Sequence, residues 1–180
     1  MATKTKTMTT TRLAWHFVGA TLRDGHPVPA DSKWLEFSGP LELCRTGLHF
    51  SRLPHQALGY AQGDTLCLVE IGGEILEPQG GDKGVCSRRK IVARMESTEM
   101  LRYYARMQAV KALDYWDTEP PEVVCDYLAT GDEHLSAAAS AAASAAARAA
   151  ARDAAWDAAW DDFDALVYEC FSDFLGARDD

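Results

Sequence analysis

His16, His49, Tyr60 and the run Ser87-Arg88-Arg89-Lys90 are the residues whose types and spacing could do chemistry. An imidazole can hold a sugar hydroxyl or move a proton, a phenol ring can plate a flat ligand, and guanidinium groups can grip an oxyanion. Each also has a plainer reading. A single histidine in an aromatic strand is first of all structural, and SRRK is either a solvated face or an anion-binding wall. Ser51 with His55 can be written as nucleophile and base, but no GxSxG elbow surrounds them. The histidines at 16, 26, 49 and 55 miss HExxH-type spacing, so no metal is expected. GGDKG, at 80–84, lacks the GxxxxGK[ST] order of a phosphate loop.

These residues need elements to hold them. RLAWHFVGATL reads as a first strand, with Trp15 and Phe17 on one face and His16 on the other. RDGHPVPADSK is turn chemistry, and WLEFSGPLELC offers a short strand before the Gly39-Pro40 break. Gly47 to Phe50 is another short strand, and LPHQALGYA opens a short helix at its proline. TLCLVEIGGEIL is a strong strand in which Gly72-Gly73 marks a bulge or bend. GGDKG is a turn, and RKIVARM, from Arg89, is a last strand.

After that the pattern becomes helical. A helix starts at Ser97 or Thr98 and runs to about Asp114, and PPEVVCDYLAT forms a short one closed by Gly131. Asp132 caps a long helical run to about Leu175, in which Ser136, Ser140, Ser144, Arg148, Arg152, Trp156 and Trp160 mark a four-residue beat. On a helix of 3.6 residues per turn that beat winds by about 40° per repeat, so it cannot form one coiled-coil seam. Trp156, Trp160 and Phe163 share a face, as do Val167, Cys170, Phe171 and Phe174. That apolar half is expected to pack on the 98–130 helices or on another chain.

The 180 residues carry a net charge of −9. The last 30 hold nine acids against two arginines, the wrong sign for a sequence-independent nucleic-acid binder, although an acidic helix could mimic nucleic acid. Five cysteines without a CxxC pair read as reduced thiols, which points to a cytoplasmic protein. No apolar run approaches the roughly 20 residues of a membrane span. The first 11 residues read as a flexible tail.

The order of His16, the Gly47–Phe50 strand, Tyr60 and the strand LCLVEIGG resembles the ADP-ribosyltransferase superfamily, in particular its poly(ADP-ribose)-polymerase-like branch. The resemblance covers about residues 12–95. It implies NAD as cofactor, with His16 on the ribose, Tyr60 stacked on nicotinamide, His49 lining the pocket in place of a tyrosine, and Arg88 or Arg89 on the pyrophosphate. Where that superfamily has a glutamate opening a late strand, this chain has Ser87, Arg88 or Arg89, and the acids Asp82 and Glu96 lie off the pattern. CRTGLHFS, followed by a proline and a tyrosine and then DKGVCSRRKIV, also resembles an uncharacterised domain of bacteriophages and bacteria, with Cys44, His49 and Lys83 as its marks. That resemblance carries no activity and implies a phage or prophage origin.

The expected fold is α+β: a tail over 1–11, a small mixed or antiparallel sheet of ADP-ribosyltransferase-like type over 12–97, and a helical region over 98–176. The missing glutamate moves the expected function from catalysis to binding. In that reading the acidic helix, through Trp156, Asp157, Trp160 and Asp161, engages and modulates a bacterial host's defence protein, or pairs with a second copy of the chain. The alternatives are an NAD-dependent ADP-ribosyltransferase or glycohydrolase, and a protein that sequesters nucleotides.

Overall fold

A computed structural model describes residues 12–22, 24–113, 119–146 and 154–176. The chain divides into two compact units, one comprising Met1–Ser97 with Asp164–Asp180 and the other Thr98–Phe163. Its elements are β1 (Arg12–Val18), β2 (Leu35–Glu36), β3 (Leu48–Phe50), α1 (Pro54–Leu58), β4 (Thr65–Leu76), β5 (Gly84–Glu96), α2 (Thr98–Ala112), α3 (Glu122–Thr130), α4 (Glu133–Ala146), α5 (Ala154–Cys170) and α6 (Ser172–Leu175). Among the described residues no helix is long and apolar enough to cross a membrane.

The first unit is an antiparallel sheet of order β1-β4-β5-β2, with β3 also on β5. Its backbone is the long β4–β5 pair, whose register slips between Leu68 and Val69 and again between Gly72 and Ile75. The second slip falls at the glycine pair, where Gly73 takes φ +72. The sheet curls until its far strands meet: Ser51, just past β3, exchanges two backbone hydrogen bonds with Trp15 of β1, at 2.8 and 2.9 Å. Arg52 holds this corner with a bidentate bond to Glu77, Nε–Oε1 2.7 Å and Nη2–Oε2 2.6 Å.

Alternation along the strands separates inside from outside. Ala14, Val18, Phe50, Cys67, Val69, Ile71, Cys86 and Ile91 form the buried interior, with Leu22, Val28, Leu48 and Ile75 packed against it. Trp15 lies on the other face, edge-on to Tyr168 at 5.8 Å and Phe171 at 5.1 Å. Asp164 accepts the His55 backbone N–H through Oδ1 (2.8 Å) and bonds its Nδ1 through Oδ2 (2.8 Å), which ties α1 to the same stretch.

β5 begins at Gly84, five residues before the expected strand. Gly84 ends the expected turn GGDKG, but the Phe50 ring lies over it, and an added Cβ would come within 2.4 Å of that ring. The glycine marks close packing between β3 and β5 rather than a reversal.

In the second unit, Tyr104 of α2 packs edge-on against Phe163 at 5.1 Å and its hydroxyl donates to the carbonyl of Ala159. Gln108 Nε2 donates to Asp162 Oδ2 at 3.0 Å, and Lys111 pairs with the same oxygen. Gly131 ends α3 in the left-handed region (φ +69), donating to Tyr127 at 2.8 Å. The long helical run is interrupted at Phe171, whose backbone (φ −107, ψ 14) leaves the helix between α5 and α6. Of its four-residue beat, Arg148 and Arg152 fall outside the described residues. Of the apolar positions expected to pack, Phe163, Val167 and Phe171 are buried, while Cys170 and Phe174 are exposed.

Gly47 combines φ +94 with a site where an added Cβ would meet Val85 at 2.6 Å and Leu41 at 2.8 Å. Backbone strain and overpacking act together there, so Gly47→Ala is expected to destabilise by about 2–4 kcal/mol in urea unfolding. A loss below about 0.5 kcal/mol would mean the loop moves aside freely.

Candidate functional site

Four cations stand on β5, and three have acid partners. Arg88 bonds Glu36 at 3.0 Å and lies 4.6 Å over Trp34. Lys90 bonds Glu70 at 2.9 Å, and Arg94 donates to Asp31 at 2.7 Å. Strand alternation sends Arg89 away from Arg88 and Lys90, into the interior beside Ile71 on β4 and Leu35 on β2, its opposite numbers in the register. It is 7% exposed. Its Nη1 donates to the carbonyl of His49, and among the described residues no carboxylate pairs with it.

The nearest ionisable neighbours do not supply the missing negative charge. Burial raises the Cys86 thiol and lifts Cys67 to about 11, against the pull of Arg94 and Arg89, so both are neutral at pH 7. The Cys86 thiol lies 3.3 Å from the carbonyl of Leu48 and 3.1 Å from that of Arg88. Burial lowers the Arg89 guanidinium to about 10, still a cation at neutral pH. An interior guanidinium without a counter-charge is an arrangement that folds rarely leave uncompensated.

His16 lines a small cavity with Arg89. Burial first, then the Arg89 charge and then His49, hold its imidazole well below the ordinary value of 6.5. Val18, Leu22, Pro29, Leu35, Lys90 and Ile91 complete the wall, and the cavity measures about 10 Å³. That is room for one water-sized atom. His16, His49 and Arg89 therefore lie close together.

Tyr60 and Arg88 do not join them. Tyr60 is 45% exposed, its hydroxyl donates to Asp82, and Lys83 covers its ring at 3.9 Å. Tyr60, and after it Cys44, hold the Lys83 ammonium above its ordinary range. Cys44 sits in the left-handed region (φ +67) and donates its backbone N–H to His49 Nε2 at 3.1 Å. Cys44 of the CRTGLHF stretch thus meets Lys83, which covers Tyr60, and His49 links Cys44 to Arg89.

On the acidic helix, the side chains of Trp156 and Asp157 lie outside the described residues. Trp160 is partly buried, Asp161 is exposed, and Asp162 and Asp164 are engaged by Lys111 and His55. The sequence reading missed Cys67 and Cys86 beside Arg89. It also missed Asp164 on His55, a contact across 109 residues with no short-range signal.

The state of His16 sets a pH dependence. Its folded pKa lies below the unfolded value of 6.5, so below that pH the unfolded chain takes up a proton the native chain refuses. Its contribution is complete above 6.5 and is lost as pH falls toward the folded value, at up to about 1.4 kcal/mol per pH unit. His16→Asn is expected to flatten urea-unfolding stability between about pH 7 and about pH 5. An unchanged slope would mean that the ring protonates in the native protein.

A protein-family model described as Domain of unknown function (DUF7666) matches residues 13–103, half of the chain. No curated protein and no solved structure matches it.

Proposed function

The chain belongs to the DUF7666 family, and from that premise we propose that it is a binding protein whose sheet receives an anionic group on Arg89. The observation that carries this reading is the interior guanidinium with no acid partner among the described residues, set beside a cavity and the His16 ring. A bound anion would remove the desolvation penalty that Arg89 otherwise bears alone. The matched residues run from β1 into α2 and include His16, His49 and Arg89, so the site lies in the part shared with the family.

The NAD reading rests on the same cavity. His16 and Arg89 share it, as a ribose and a pyrophosphate would ask. Against it stand the engagement of Tyr60 with Asp82 and Lys83 and the small size of the cavity. Glu70, the buried acid of β4, is held by Lys90. A protein partner for the acidic helix is a second reading, favoured by the exposed Asp161. The phage and bacterial resemblance makes a bacterial host protein its partner class, and the acidic surface calls for a basic one.

Thermal shift with chloride, phosphate, ADP-ribose and NAD at constant ionic strength tests the main reading. At least one anion is expected to raise the Tm by roughly 2–4 °C when saturating, and Arg89→Met to abolish the rise. NAD consumption, lost in both His16→Asn and Arg89→Met, would move the protein to the enzyme class. If no anion shifts the Tm, Arg89 is a structural cation and the proposal fails.

A further inference from the structure

We infer that the Arg89 cavity takes a monatomic, singly charged anion, a halide, and not the phosphate of a nucleotide. The inference rests on the reading that Arg89 receives an anion, and it goes further by naming which. Charge is the first argument. Among the described residues the interior presents one positive charge without a carboxylate partner, that of Arg89, since Lys90, Arg88 and Arg94 each meet a carboxylate and the thiols of Cys67 and Cys86 are protonated. A phosphate monoester near pH 7 carries close to two negative charges and would leave the interior with an excess of one. A halide cancels Arg89 and leaves none.

Size is the second argument. A cavity of about 10 Å³ admits one atom of about the size of a water. Phosphate has four oxygens, each of which would need a donor if buried. The wall offers few donors: Val18, Leu22, Leu35 and Ile91 are apolar, and Pro29 has no N–H. Among the described residues of the wall, Arg89 and His16 are the polar side chains without a carboxylate partner, and a neutral imidazole always carries one N–H. Two donors of fixed direction suit a spherical ion, which makes no demand of its own on angle.

The apolar wall also favours a weakly hydrated ion over a strongly hydrated one. Entry requires the anion to shed most of its water, a step that becomes harder with charge density. Bromide should therefore bind at least as well as chloride, provided the wall yields by a few tenths of an ångström. Fluoride, smaller and more tightly hydrated, should bind worst. The bland occupant is a water molecule on Arg89, and the measurement must distinguish it.

The quadrupolar linewidth of chloride NMR reads bound chloride directly on the full, unmodified chain. Prepared in gluconate and titrated with chloride, the protein is expected to broaden the chloride signal. Bromide should reverse the broadening at concentrations similar to chloride, whereas phosphate and NAD at matched ionic strength should not. Arg89→Met should abolish it with an unchanged circular dichroism spectrum, and Arg89→Lys should restore part of it. Absence of excess broadening in the unmodified chain overturns the inference without recourse to any variant. So does broadening that persists in a folded Arg89→Met protein, which places the chloride elsewhere. Displacement by phosphate as effective as by bromide overturns the halide assignment but leaves the anion reading standing. If chloride, phosphate and NAD all fail to bind, both readings fall together.

Discussion

The bend of the β4–β5 ribbon is the constraint on which the sheet unit depends. Two long paired strands carry a right-handed twist, and two slips of register add to it. The ribbon curls far enough for Ser51 to reach Trp15, which gives β1 a second hydrogen-bonded neighbour beyond β4. Closure then defines an interior. Cys67, Val69 and Ile71 of β4 face inward with Cys86 and Ile91 of β5, and the alternate residues Leu66, Leu68 and Glu70 are buried on the sheet's other face. Without the bend, His16 and Arg89, on strands separated by β4, would have no common space.

The contrast between Arg88 and Arg89 follows from the same geometry. They are chemically identical and adjacent, and the pleat alone assigns one to Glu36 and Trp34 and the other to the core. Every other element of the site is shaped by that assignment. His16 is kept neutral partly by the guanidinium, and the His49 carbonyl is drawn to it. A guanidinium tolerates such a position better than an ammonium would, because it is weakly hydrated and holds its proton when desolvated.

Much of the sheet was legible in residue order. The alternation of Trp15 and Phe17 against His16 is visible in the sequence and holds in the structure, and Gly72-Gly73 marked one of the two slips. The slip at Leu68 and Val69 was not legible, since two aliphatic residues carry no turn signal. The start of β5 was misread because a glycine that admits an aromatic ring looks the same in sequence as one that permits a turn. For the site, the candidate residue types were legible and their grouping was only partly so. His16, His49 and Arg89 converge, but Tyr60 was assigned to them by order along the chain, and order does not encode which side of a closed sheet a helix turn presents. The isolation of Arg89 could not be read at all, because it depends on which acids its neighbours claim.

The discontinuity of the sheet unit has a consequence for how the protein is made. Trp15 finds its aromatic partners in Tyr168 and Phe171, and α1 finds Asp164 across 109 residues. The second unit, Thr98–Phe163, is translated in between. At roughly 5–20 residues per second, the ribosome needs on the order of 3–13 s to cross that insert. During that interval the sheet can close, but Trp15 has no aromatic cover, so the nascent chain presents an apolar strip to chaperones or to neighbouring chains before its last helices emerge.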